Sequence, residues 1–140
     1  MAIKQLSVFL ENKRGTLHEI TDTLAEAGID LRTMCIADTS DYGIVRIIAD
    51  DPDRAQQVLR QAGQTASVRK VNAFSVPDVP GGLAGALSAI EKNGVNIEYL
   101  YALVTTSDKE AYTVMRTDDT QKADEILKES GFKLLEENNI

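Results

Sequence analysis

The chain has 140 residues, 43% apolar and 26% charged, with a formal net charge of −7 and a pI near 4.7. That acidic balance weighs against a nucleic-acid partner or an anionic membrane surface, since both need clustered Lys and Arg. The single Cys35 excludes an internal disulfide and a multi-cysteine metal site, and fits a reducing compartment.

Met1-Ala2-Ile3-Lys4-Gln5 enters a strand pattern directly, without the long apolar core of a signal peptide. No run approaches the roughly 18 apolar residues of a membrane span, so a soluble cytoplasmic protein is expected. Leu6, Val8 and Leu10 alternate with Gln5, Ser7 and Glu11 as a first strand, with Phe9 interrupting the polar face. The turn Asn12 to Gly15 opens a helix whose Leu17, Ile20, Leu24 and Ala27 form one apolar stripe, ended by Gly28. Asp30 to Ala37 predicts a second strand and Ile44 to Ala49 a third, joined by the turn chemistry of Asp38-Thr39-Ser40-Asp41-Tyr42-Gly43. Asp51-Pro52 starts a helix carrying Ala55, Val58, Leu59 and Ala62, which Gly63 ends. From Ala66 to Val76 nothing marks a turn. The closing strand of one unit is therefore expected to run into the opening strand of the next, leaving no linker.

The second half repeats this order. Asp78-Val79-Pro80-Gly81-Gly82-Leu83 opens a helix bearing Leu83, Leu87 and Ile90, which ends at Asn93-Gly94. Strands follow at Asn96 to Val104 and Ala111 to Arg116. Asp118-Asp119-Thr120 caps a helix with Ala123, Ile126 and Leu127, and Gly131 leads to a closing strand with Phe132, Leu134 and Leu135. Gly15 and Gly81 lie 66 residues apart, as do Gly28 and Gly94, whereas Gly63 and Gly131 lie 68 apart. The two extra residues belong in the hairpin around Thr105 to Glu110, where insertions are cheapest. The pattern predicts an α+β fold of two ferredoxin-like βαββαβ units, 1–70 and 71–140.

The repeated turns carry a possible chemistry. Each helix start offers unpaired backbone N–H groups and a partial positive charge to a carboxylate, and Gly15, Gly81 and Gly82 put no Cβ in its way. Asp30 and Asn96 enter the second strands beside these turns, with side-chain oxygens that can accept from an ammonium. Leu17, Leu31, Leu83 and Ile97 would meet the rest of the ligand. The plainer alternative is that these glycines and Asp or Asn are ordinary turn punctuation. His18 reads as solvent-facing and Cys35 as a small core residue; Asp50-Asp51-Pro52-Asp53 and Asp118-Asp119 read as helix capping rather than metal ligands. The P-loop and dinucleotide patterns are absent, and no cofactor or metal is expected.

The second strands bear on assembly. Leu100, Ala102 and Val104 share one face and Tyr99, Tyr101 and Leu103 the other, with Met34-Cys35-Ile36-Ala37 a milder version. An edge strand apolar on both faces calls for a cover. The second strand of a sister copy would supply it, side by side in an eight-stranded sheet, within one chain or in a homodimer.

Gly15-Thr16-Leu17 with Gly28-Ile29-Asp30-Leu31, and Gly81-Gly82-Leu83 with Gly94-Val95-Asn96-Ile97, resemble the ACT domain. This is the βαββαβ module through which metabolic enzymes sense amino acids, here in two tandem copies. The resemblance implies a non-catalytic regulator, a homodimer, that binds a free amino acid effector at the interface between ACT units. The implied site residues are Asn12, Arg14, Gly15, Thr16, Leu17, Asp30 and Leu31 in the first copy. In the second they are Val79, Pro80, Gly81, Gly82, Leu83, Asn96 and Ile97. Asp30 stands where many members, and the second copy here, carry Asn. Leu6-Ser7-Val8-Phe9-Leu10-Glu11-Asn12 also resembles the opening of the small regulatory subunit of acetohydroxyacid synthase, although that family has a different second half. The alternative it implies is a subunit docking on an amino-acid biosynthetic enzyme, with vestigial pockets. An acylphosphatase-like hydrolase would rest on Arg14 alone.

Overall fold

The computed structural model describes residues 2–38, 40–104 and 107–140, and for residue 139 the backbone alone. The chain divides into two compact units, Lys4–Arg69 and Lys70–Ile140, the second including the chain up to Ile3.

The first unit runs β1 (Ile3–Glu11), α1 (Thr16–Glu26), β2 (Leu31–Asp38), β3 (Tyr42–Ala49), α2 (Pro52–Gln61) and the start of β4 (Thr65–Pro77). Its strand order is β2-β3-β1-β4, with β1 and β2 antiparallel to β3. The period-2 alternation in β1 sends Leu6, Val8 and Leu10 to the helix side, where they join Val45, Ile47, Ile20, Leu24, Ala55 and Leu59 in one core. Strand β2 closes the order at an edge.

The second unit takes the rest of β4, then α3 (Gly82–Lys92), β5 (Ile97–Leu103), β6 (Glu110–Thr117), α4 (Thr120–Glu129) and β7 (Lys133–Leu134), ending in a short 3₁₀ turn, Glu137–Asn139. Its order is β7-β4-β6-β5, so β5 is the edge. Phe74, Val76, Met115, Ala86, Ile90, Ala123 and Leu127 form its core. This is the βαββαβ order twice over, the α+β fold expected from the glycine spacing.

Some details differ from the sequence reading. Strand β5 stops at Leu103, leaving Val104 76% exposed rather than on a strand face. The closing strand shrinks to two residues, with Phe74 opposite Leu134, although Leu135 stays buried and donates its N–H to the Ala73 carbonyl at 2.8 Å. Tyr42 and Gly43 belong to β3 rather than to the preceding turn. Thr39, within that turn, and Thr105 and Thr106, where the two-residue insertion was placed, lie outside the described residues. No helix among the described residues is long and apolar enough to cross a membrane.

One polar network lies inside the second unit. Asn72 donates its side-chain amide to Asp124 Oδ1 at 2.7 Å and to the Thr120 carbonyl at 2.8 Å, while the Thr117 hydroxyl donates to Asn72 Oδ1 at 3.2 Å. All three side chains are buried. Burial raises the Asp124 pKa above the usual carboxylate value; the Asn72 hydrogen bond and the charge of the chain's amino terminus oppose the rise. The folded protein thus holds this proton more tightly than the unfolded chain does. The resulting stabilisation is full below the unfolded carboxyl pKa and is lost as pH rises through the folded one. Asp124→Asn keeps an acceptor for Asn72 and cannot ionise. In urea titrations at stepped pH, the variant's stability relative to the parent is expected to rise across that window; a difference independent of pH would contradict this.

Candidate functional site

The four helices start in two ways. Asp51 caps α2, accepting from the Arg54 N–H at 3.2 Å, and Asp119 caps α4, accepting from the Lys122 N–H at 3.0 Å. Helices α1 and α3 instead begin at Gly15 (φ 89°) and Gly81 (φ 84°), both left-handed, with no side-chain cap. A glycine takes this backbone without a Cβ clash, but it has no oxygen to offer the helix.

The Glu19 and Gly85 N–H groups bond back to the Gly15 and Gly81 carbonyls at 3.0 Å, and the first-turn Thr16 and Gly82 N–H groups fold onto Lys13 and Val79. Between them, the Leu17 and His18 N–H groups in α1, and those of Leu83 and Ala84 in α3, donate to no acceptor among the described residues. Two donors at each start therefore point outward under the positive end of a helix dipole.

Each turn is pinned from behind. The Asn12 N–H donates to the Asp41 carbonyl at 3.0 Å, and the Asn12 side-chain amide to the Ser40 carbonyl at 3.3 Å. In the second unit the Asp78 N–H donates to the Lys109 carbonyl at 2.9 Å. The second strands are pinned as well. Asp50 Oδ1 accepts from the Asp30 N–H at 3.1 Å while the Asp50 N–H returns a bond to the Asp30 carbonyl at 3.0 Å. Asp118 and Asn96 repeat this at 3.0 and 3.1 Å. The paired acids thus divide the work: Asp51 and Asp119 cap helices, while Asp50 and Asp118 clamp the entry to β2 and β5. The sequence reading had assigned all of them to capping.

The two copies differ where the sequence treated them alike. The Asp30 carboxylate is already paired with Arg32 Nη1 at 2.5 Å, whereas the matching Asn96 carries no charge to pair. Helix α1 carries Glu19 in its first turn, and α3 carries no acid there. The Thr16 hydroxyl donates to the Glu11 carbonyl at 2.8 Å and the Lys13 carbonyl at 3.0 Å. Gly82 holds the matching position, and a Cβ there would stand 2.0 Å from the Pro77 carbonyl oxygen. The second turn is closed by backbone proximity, the first by a hydroxyl.

Among the other singled-out residues, Arg14, Val79, Pro80 and Leu83 are exposed; Leu17 and Leu31 pack on the first core and Ile97 on the second. Thr16 lines an open depression of about 250 Å³ with Phe9, Glu11, Lys13, Glu19 and Gln64; Asp30 and Leu31 do not. Glu11 pairs with Lys13 at 2.9 Å and raises its ammonium pKa. His18 is exposed. Cys35 is half-buried opposite Arg46; burial raises its pKa and outweighs the pull of that guanidinium, which disfavours a reactive thiolate.

A family model described as an ACT domain pair matches residues 1–140. The crystal structure of protein BT0572 from Bacteroides thetaiotaomicron is 41% identical, with a TM-score of 0.90, covering 96% of this chain and 92% of that one. The ligand-free regulatory subunit of aspartate kinase from Thermus thermophilus shares the fold at 18% identity and TM-score 0.68, covering 91% of this chain and 92% of that one. The regulatory subunit of aspartate kinase from Thermus flavus does so at 18% and 0.63, covering 91% of each chain. A search of the curated proteins finds no match.

Gly82 provides the check on the turn geometry. Gly82→Ala is expected to cost about 1–3 kcal/mol in urea unfolding, the usual range for forcing atoms into a filled space. A neutral Gly82→Ala would show that the turn relaxes freely.

Proposed function

Since the chain belongs to the ACT domain family as a pair of ACT domains, we propose that it is a non-catalytic regulator that senses a free amino acid at its glycine-capped helix starts. One observation carries this reading: α2 and α4 have side-chain caps, and α1 and α3 do not. Uncapped donors at a helix start suit a ligand carboxylate, which takes the place of the missing cap. The ligand ammonium then goes to the side chain entering the second strand, Asp30 or Asn96.

The copies are not equal for this purpose. At Gly81 the first turn carries no acid and Asn96 has no ion-pair partner, so a carboxylate meets the dipole unopposed. At Gly15, Glu19 repels a carboxylate and Arg32 competes with an ammonium for Asp30. The Gly81 turn is the stronger site, with Gly82, Leu83, Asn96 and Ile97 around the ligand. In this reading the edge strands β2 and β5 pair with a second copy of the chain. An effector then acts by its differential affinity for two arrangements of the assembly.

A second reading keeps the fold and drops the ligand, making the chain a docking subunit of an amino-acid biosynthetic enzyme. The exposure of Ile36 on β2 favours it, as an apolar contact for a larger partner. Calorimetry against the twenty amino acids separates the two. Heat is expected for one amino acid or a close group. Gly81→Asp should weaken that binding at least tenfold, with circular dichroism unchanged, and Gly15→Asp should weaken it less. No heat for any amino acid would leave the docking subunit standing.

A further inference from the structure

The clamp on β5 and the cap of α4 sit on neighbouring residues. Asp118 holds the Asn96 backbone by two bonds: its Oδ1 accepts from the Asn96 N–H at 3.0 Å, and its own N–H donates to the Asn96 carbonyl at 3.1 Å. Asp119 follows directly. Its Oδ1 accepts from the Lys122 N–H and its carbonyl from the Ala123 N–H, both at 3.0 Å. The peptide joining the two acids is planar and stiff. A change at Asn96 therefore acts on the first turn of α4 through two hydrogen bonds and one peptide unit. That turn is anchored on its other side, where the Asn72 side-chain amide donates to the Thr120 carbonyl at 2.8 Å.

The first copy has the same series of bonds. Asp50 clamps Asp30 at 3.1 and 3.0 Å, and Asp51 caps α2 through the Arg54 N–H at 3.2 Å. There, however, the carboxylate of the clamped residue already holds Arg32. In the second copy the clamped residue is Asn96, exposed and uncharged. One series is occupied from within the chain and the other is left to answer a ligand.

We propose that Asp118 is a positioning residue of the Gly81 site: it fixes Asn96 for the ligand ammonium and passes the occupancy of Asn96 to the cap of α4. This rests on amino-acid sensing at Gly81 and adds a route by which the effector is felt elsewhere in the unit. The element with two states is the first turn of α4, capped or frayed. An ammonium held by the Asn96 side-chain oxygen immobilises that residue, favours the closed clamp and so favours the capped turn. The effect is reciprocal, since a turn that tightens on binding strengthens binding by the same factor. The Asp30–Asp50–Asp51 series answers less, because Arg32 competes for Asp30.

The test is amide hydrogen exchange of the whole chain, read by NMR. An equimolar mixture of the twenty amino acids is the probe, and the same mixture N-acetylated, with the carboxylates but no free α-ammonium, is the control. The quantity compared is the ratio of exchange rates with and without the mixture, in which a purely structural loss cancels. In the unaltered protein the Asn96 and Lys122 amides are expected to slow about fivefold or more, the lower end of ordinary coupling between sites. The Arg54 amide should slow less, and the acetylated mixture should leave Asn96 and Lys122 unchanged. Asp118→Ala should abolish the slowing at Lys122, and Asp118→Asn, which keeps an oxygen for the Asn96 N–H, should restore it. Slowing at Asn96 without slowing at Lys122, or slowing at Lys122 that survives Asp118→Ala, would overturn the role of Asp118 and leave amino-acid sensing standing. Arg54 slowing as much as Lys122 would overturn the difference between the copies. No change at Leu83, Ala84 or Asn96 would overturn the sensing reading and this inference with it.

Discussion

The constraint on which the rest depends is the left-handed glycine before α1 and α3. A residue with a side chain at Gly15 or Gly81 would meet backbone strain. A glycine there avoids the strain but leaves the helix start without a cap. Nothing within the turn compensates for this, and two N–H groups stay directed outward at each start. The surroundings hold that arrangement in place. The Asn12 and Asp78 bonds tie each turn to its hairpin, and the Asp50 and Asp118 clamps set where the second strand begins. The geometry is set by the protein alone, so a ligand taken there would add little ordering cost.

Much of the fold could be read from the chain because its signals are local and periodic. The glycines at 66- and 68-residue intervals all take positive φ, from 72° to 89°. Asp51-Pro52 and Asp118-Asp119-Thr120 announced two helix starts through side chains that bond only three residues ahead. What escaped reading acts over distance. The Asp50 and Asp118 clamps reach back 20 and 22 residues to a backbone N–H, and Asn72 meets Asp124 across 52. A polar residue inside an apolar strand pattern reveals nothing about a partner that far along the chain. Val104 was misplaced for a different reason: alternation continues in the letters for one residue after the strand hydrogen bonds have ended.

The candidate site was legible only in outline. Spacing located the turns and the residues entering the second strands, but it made the two copies look alike. Side chains that spacing does not register break the equivalence. Arg32 occupies Asp30 in the first copy, Glu19 sits under the helix dipole, and Thr16 bridges two carbonyls where Gly82 presses against one. The Asn72–Asp124 network is a further departure: on the 66-residue spacing the apolar core residue Leu6 stands where the second copy has Asn72. The chain carries one scaffold twice, and the two halves carry different electrostatics on it.

The account's central claim is that open donors at a glycine-capped helix start receive a carboxylate. Crystals soaked in a mixture of amino acids test it most directly. Density for a carboxylate within hydrogen-bond distance of the Leu83 and Ala84 N–H groups, with the ammonium near Asn96, is the predicted result. Ligand density found only away from both glycine turns, or a helix start holding nothing but solvent at saturating amino acid, would contradict it.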